Sequence, residues 1–152
     1  MRKLTVITAL LLLPFMLSSC SDNQVTDAQS ETVLINASGI VEHLDGDCSA
    51  VQIRTKSLGN ADFTGYPSVK IELDGMSDAD LASIQIFYYE NGEQRSMLDL
   101  RSRDEINSTR ISEISSPSSD REIFARVTLK SSVCTGQIYY LTLRDVKISG
   151  IR

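Results

Sequence analysis

The sequence predicts an all-β fold, an antiparallel β-sandwich or jelly roll of about seven to nine strands. Three observations predict it. Apolar residues recur at every second position over several short runs, the runs are separated by Gly, Asp, Asn and Ser, and no long stretch repeats its apolar residues at the helical period. An eight-stranded barrel is the competing architecture. The Cys…Trp…Cys pattern of immunoglobulin domains is excluded because the chain has no tryptophan.

The elements follow in chain order. Arg2 and Lys3 give a positive start, Leu4 to Phe15 is an almost unbroken apolar run, and Ser18 and Ser19 place small residues before Cys20. This is the layout of an export signal. A membrane-spanning helix needs about 20 apolar residues, and Pro14 interrupts a run already shorter than that. Leu17-Ser18-Ser19-Cys20 resembles the lipobox of bacterial lipoproteins. The resemblance implies removal of residues 1–19 as a signal peptide, acylation of Cys20, and attachment to the membrane through that N-terminal lipid. One acyl chain holds only marginally, at ~0.8 kcal/mol per buried CH₂, whereas two or three hold firmly. Ser21 stands where aspartate marks inner-membrane retention in that family, which implies the outer membrane of the bacterial cell envelope.

Residues 20–31 are polar and nearly devoid of large apolar side chains, so they read as a lipidated flexible tether; residues 32–152 form the β-sandwich domain. Within the domain, Val51 and Ile53 alternate with Gln52 and Arg54, and Val69, Ile71 and Leu73 with Lys70, Glu72 and Asp74. Each run is the pattern of a half-buried strand. Met76 to Leu81 is the one credible helical turn, with Ser77 as its cap and Asp80 three residues on. Ile84, Ile86 and Tyr88 share one side of the next run and Gln85, Phe87 and Tyr89 the other, apolar enough on both to lie centrally in a sheet. Asn91-Gly92 supplies the positive φ angles of a two-residue turn and pairs about residues 83–90 with 93–100. That register sets Glu90 against Glu93, an opposition of like charges costing a few tenths of a kcal/mol, about 0.2–1.

Ser112 to Arg121 is a polar, Pro-bearing loop, and Ile123, Ala125, Val127 and Leu129 form the inner face of the strand after it. In the last run Tyr139, Leu141 and Leu143 share a parity that Val146 and Ile148 do not. A bulge or bend at Arg144-Asp145 would return both groups to one face. Gly136-Gln-Ile-Tyr-Tyr-Leu-Thr-Leu-Arg-Asp-Val-Lys-Ile is similar to the closing strand of galactose-binding-like jelly rolls, a resemblance to a fold that carries over no binding residue.

Charge and cysteines narrow the function. The leader holds two of the 15 basic residues and none of the 20 acidic ones, which leaves 13 against 20 and a net charge near −7. Such a surface repels phosphate backbones, and no basic cluster offsets it, so no nucleic-acid partner is expected. With Cys20 acylated, Cys48 and Cys134 remain as a pair in an oxidising compartment, which argues for a disulfide. The loop it closes spans 86 residues, for which the chain-entropy estimate is roughly 4–5 kcal/mol at most. Two buried free thiols are the alternative. Nothing in the sequence asks for a metal or other cofactor: the chain has one histidine, no close cysteine spacing and no phosphate-binding loop.

No residue pattern here points to catalysis. His43, beside Glu42, Asp45 and Asp47, lacks a nucleophile elbow to serve. The acidic clusters Glu42, Asp45, Asp47 and Asp74, Asp78, Asp80 are composed like solvated turns or open Ca²⁺ sites. Among the aromatic residues, which include Phe87, Tyr88 and Tyr140, we take Tyr66, Tyr89 and Tyr139 as a possible binding surface, since tyrosines on an outer sheet face suit sugar rings or protein partners. The function expected is thus a non-catalytic envelope lipoprotein whose sandwich binds a protein or glycan, or has a structural role. An inhibitor or immunity lipoprotein blocking a lytic enzyme or toxin is the second reading, and a carboxylate-based hydrolase the third. Mass spectrometry of the purified protein is expected to find acyl groups on Cys20 as the new N-terminus, and Cys48 and Cys134 resistant to alkylation until reduced.

Overall fold

The computed structural model describes residues 29–45, 51–114, 120–131 and 136–152. The signal peptide, Cys20, most of the tether, Asp47, Cys48 and Cys134 lie outside the described residues.

Eight strands make up the described fold: β1 (Glu31–Asp45), β2 (Val51–Ala61), β3 (Ser68–Ser77), β4 (Asp80–Glu90), β5 (Glu93–Leu100), β6 (Ser108–Glu113), β7 (Arg121–Lys130) and β8 (Ile138–Ile151). They form two four-stranded sheets, one in the order β1-β8-β3-β6 and the other β2-β7-β4-β5, with every pairing antiparallel. This is a jelly roll, the sandwich that the alternation predicted. Its first strand begins one residue before the expected domain boundary, and the Ser30 carbonyl already accepts the Arg152 N–H.

The turn between β4 and β5 has the expected geometry, with Asn91 at φ 52° and Gly92 at φ 83°. Both signs are those a two-residue hairpin turn requires, because its twist then matches the twist of the strands. Outward from that turn the chain pairs with itself as one ribbon: β4 with β5, β3 with β6, β2 with β7, β1 with β8. In all four pairings the residue numbers of the partners add to between 181 and 184. Coiling the ribbon then brings β8 beside β3 and β7 beside β4, which completes the sheets.

The alternating residues meet between the sheets. Val69, Ile71 and Leu73 from β3, Ile84 and Ile86 from β4, Ile123, Val127 and Leu129 from β7, and Leu141, Leu143, Val146 and Ile148 from β8 are all buried there. Fully burying one such side chain contributes about 1.5–3 kcal/mol. Both groups on β8 face inward because Arg144 is an extra residue against β3, where the register steps between Asp74 and Gly75. The expected bulge is present. Beyond the last β3–β6 rung, Leu73 with Ser108, Asn107 Oδ1 accepts the Gly75 N–H at 2.8 Å.

Three expectations are corrected. Met76 to Leu81 forms no helical turn: Met76 and Ser77 end β3, Asp80 begins β4, and Ser77 Oγ accepts the Ala79 N–H across the tight connection. Strand pairing on both sides overrides the local capping pattern. The helical turn that does form is a 3₁₀ turn at Arg103–Glu105, capped by Ser102. Val51 and Ile53 are exposed rather than buried, because β2 pairs Gln52 with Leu129 and Arg54 with Val127. Directly opposed residues share a face, so the polar positions of this edge strand point inward, and Arg54 meets Glu42 of β1 at 4.0 Å at the open rim. Ser112 and Glu113 belong to β6 rather than to the polar loop; a sheet edge leaves both faces of a strand partly wet, so β6 lacks an apolar signature.

Gly75 has no room for a side chain. A Cβ there would lie 2.6 Å from the Thr142 carbonyl oxygen and 2.8 Å from Ile106 Cγ2. Gly75→Ala is expected to destabilise the fold by about 1–3 kcal/mol in urea unfolding, the usual cost of overpacking.

Candidate binding faces

The outer face of the second sheet carries an aromatic cluster. Phe87 of β4 is paired with Phe124 of β7, and Tyr89 lies two residues along on the same side of β4. The Phe87 and Phe124 rings are stacked at 5.6 Å, and the edge of Tyr89 meets both rings at 5.6 and 5.9 Å. The Arg126 guanidinium covers Phe87 from the remaining side at 4.6 Å, held by Thr55 Oγ1 and Gln85 Oε1. Phe87 is therefore 0% exposed although it lies on an outer face. Each such ring pair adds about 0.5–1.5 kcal/mol beyond burial. Tyr89 keeps 47% of its surface in solvent, and Ile53 and Val51 are exposed on the same face.

At the hairpin end of the sandwich, on the inner-facing parity of β4, Glu90 does oppose Glu93. Arg95 resolves the repulsion by reaching both, with Nε at 3.3 Å from Glu90 and Nη2 at 3.1 Å from Glu93. Arg121 adds a second cation to the buried Glu90 at 3.4 Å. A carboxylate placed this deep needs paired charge.

The outer face of the first sheet divides into two ends. At one, Lys70 contacts Glu31 and Glu72, Lys147 contacts Glu72 at 2.9 Å, and Arg144 pairs with Asp74. The hydrogen bond from Lys147, with the charge of Lys70, holds the Glu72 carboxyl below the usual carboxylate range against a smaller opposing effect of burial. The bond to Glu31 holds Lys70 above its usual range.

The other end carries exposed apolar side chains. Tyr140 and Met76 are 48% and 60% exposed, and Val41 is exposed beside them. Register puts His43 opposite Tyr140 and Val41 opposite Thr142 on β1, and Met76 opposite Thr142 on β3. Met76, Ser77, Asp78, Tyr140 and Thr142 line a pocket of about 260 Å³. Its backbone is tied down: Asp78 Oδ1 accepts the Tyr140 N–H, and the Tyr140 carbonyl accepts the Asp78 N–H at 3.2 Å and the Ser77 hydroxyl at 3.0 Å.

The three tyrosines chosen from sequence separate. Tyr89 is exposed as expected. Tyr66 is not: it is 7% exposed, packed over Gly150 and capped by the Arg152 guanidinium at 4.4 Å. Tyr139 is half-buried against the core, and its neighbour Tyr140 is the one facing solvent. The parity that placed Tyr139 with Leu141 and Leu143 already contained that result. Arg126 and Met76 carried no sequence signal, since their roles depend on cross-strand neighbours.

The acidic clusters are dispersed into other contacts. Glu42 reaches Arg54, Asp74 reaches Arg144, and Asp78 is spent in part on the Tyr140 amide. His43 is exposed on the face opposite to that of its neighbour Glu42. Among the described residues no group of three or more His, Cys, Asp or Glu side chains is placed to hold a metal ion, and no helix is long and apolar enough to cross a membrane.

No family model and no curated protein matches the chain. Among solved structures it is similar to a chain in the structure of infectious bursal disease virus, Gt strain, at 12% identity and a TM-score of 0.43. The match covers 96% of this chain and 38% of that one, so this chain spans well under half the length of that neighbour.

The Glu72 contacts set a pH dependence. A carboxylate held below its unfolded value of about 4.3 contributes stability that is present above that pH and is lost as the pH falls through the lowered value. The melting temperature is expected to drop as the pH is taken from about 5 to 3, and Glu72→Gln to show a shallower drop over the same interval.

Proposed function

We propose that this protein is a bacterial cell-envelope lipoprotein, anchored through acylated Cys20 to the outer membrane, whose jelly roll is a non-catalytic module binding a protein or glycan partner. One observation carries the proposal. The outer face of the first sheet displays Tyr140, Met76 and Val41 within two residues of one another across neighbouring strands, and that of the second displays Tyr89 against the Phe87–Phe124 pair; the core between the sheets does not use these exposed side chains. Scattered exposed apolar residues are ordinary, but clusters on a rigid face are characteristic of surfaces that meet a partner.

A disulfide between Cys48 and Cys134 belongs to the same proposal, and the strand register supports it. β1 and β8 pair as far as Asp45 with Ile138, and β2 and β7 resume at Val51 with Lys130. Those partner numbers add to 183 and 181, and the two cysteine numbers add to 182. Such a cross-link requires the oxidising side of the inner membrane.

The full chain, held in detergent, is expected to be retained by an envelope fraction or by members of a glycan array. Tyr89→Ala together with Tyr140→Ala is expected to weaken that retention about tenfold or more, as loss of aromatic anchors does. Failure of the unaltered protein to be retained by either, or retention that survives both substitutions, counts against a binding role.

A further inference from the structure

We infer that the pocket lined by Met76, Ser77, Asp78, Tyr140 and Thr142 is a binding site for a single neutral sugar ring. This deepens the binding-module reading and rests on it.

Size comes first. At about 260 Å³ the pocket is smaller than the roughly 300–1,000 Å³ of sites for drug-sized ligands. It accommodates one six-membered ring and leaves the rest of a longer ligand in solvent.

Chemistry then selects among small ligands. Tyr140 and Met76 offer an aromatic face and a thioether, while Ser77, Asp78 and Thr142 place oxygens around them. A purely apolar guest would strip water from the Asp78 carboxylate with nothing in exchange. An anion would meet that carboxylate on a chain of formal net charge −5. A cation would find one aromatic ring and one carboxylate, and Asp78 Oδ1 already accepts the Tyr140 amide. That is thin compensation for a desolvated charge. A pyranose suits both halves: its C–H face lies on Tyr140 and Met76, and its hydroxyls donate to Asp78 Oδ2 and exchange hydrogen bonds with Thr142. His43, opposite Tyr140 on the neighbouring strand, stands at the rim as a further polar partner.

The site is also held in advance. Asp78 and Ser77 fix the Tyr140 backbone through three hydrogen bonds, so the platform needs little ordering on binding. The same sheet face at its other end is filled by the charge pairs of Lys70, Glu72 and Lys147. That leaves the Tyr140 end as the part of this face that a ligand can use.

The test uses the full chain in a detergent without a sugar headgroup. Methyl glycosides of glucose, galactose, mannose and N-acetylglucosamine are titrated while the Met76 methyl group is followed by NMR. At least one glycoside is expected to give a saturable shift with Kd in the millimolar range, about −4 kcal/mol. Tyr140→Ala should raise that Kd about tenfold or more, Tyr140→Phe should preserve it, and Ile111→Thr, at the charged end of the same face, should leave it unchanged. The inference is overturned if no glycoside saturates the signal by about 50 mM, if Tyr140→Ala has no effect, or if tetramethylammonium binds more tightly than every glycoside. Should envelope or glycan retention depend on Tyr89 while the Met76 signal stays silent, this site is rejected and the binding-module reading stands.

Discussion

The fold depends on one register line. Asn91-Gly92 turns the chain back on itself, and every later pairing of the ribbon, from β4 with β5 out to β1 with β8, keeps partner numbers within the narrow span of 181 to 184. A side chain changes face with every residue of slip, so an offset at the turn would send the buried isoleucines and leucines of each successive rung outward together. The tolerated deviations are local bulges, at Val33–Ile35, Ser57–Gly59 and Ile86–Phe87, each of which shifts the line by one residue without breaking the ladder.

Coiling adds what the ribbon lacks. A flat hairpin of this length would expose one apolar face, and the β3–β8 and β4–β7 ladders fold that face onto itself. The inner faces are thereby consumed by packing. The outer faces are left to differ, and they do. On the second sheet Phe87 is enclosed by Phe124, Tyr89 and Arg126, so the exposed Tyr89 stands on a rigid base. On the first, ion pairs fill one end, while Tyr140 and Met76 at the other remain open around a small pocket. Side chains with such fixed neighbours can serve recognition without first being ordered, which is why the aromatic faces rather than the acidic turns carry the functional proposal.

Much of this was legible in advance. Alternation identified β3, β4, β7 and β8, the Asn-Gly pair identified the hairpin, and the parity change after Leu143 located the bulge at Arg144. The failures share a cause. Ser77 with Asp80 has the pattern of a helix cap, yet the hydrogen bonds of Ser77 go to Ala79 and Tyr140, the second of them 63 residues away. The alternation of Val51 and Ile53 was sound evidence for a strand but silent on which face meets the core. β6 was missed because an edge strand needs no apolar face.

What the sequence by itself determined is therefore periodicity: strand, turn, bulge, and the pairing nearest the turn. Those properties depend on residues within a few positions of one another. That Tyr66 is covered by Arg152, how the Glu90–Glu93 opposition is relieved by Arg95 and Arg121, and where a pocket opens were decided only by the tertiary structure. Each depends on a partner brought from a distant strand, as Asp78 is brought to Tyr140, and no local pattern encodes the strand that coiling will place alongside.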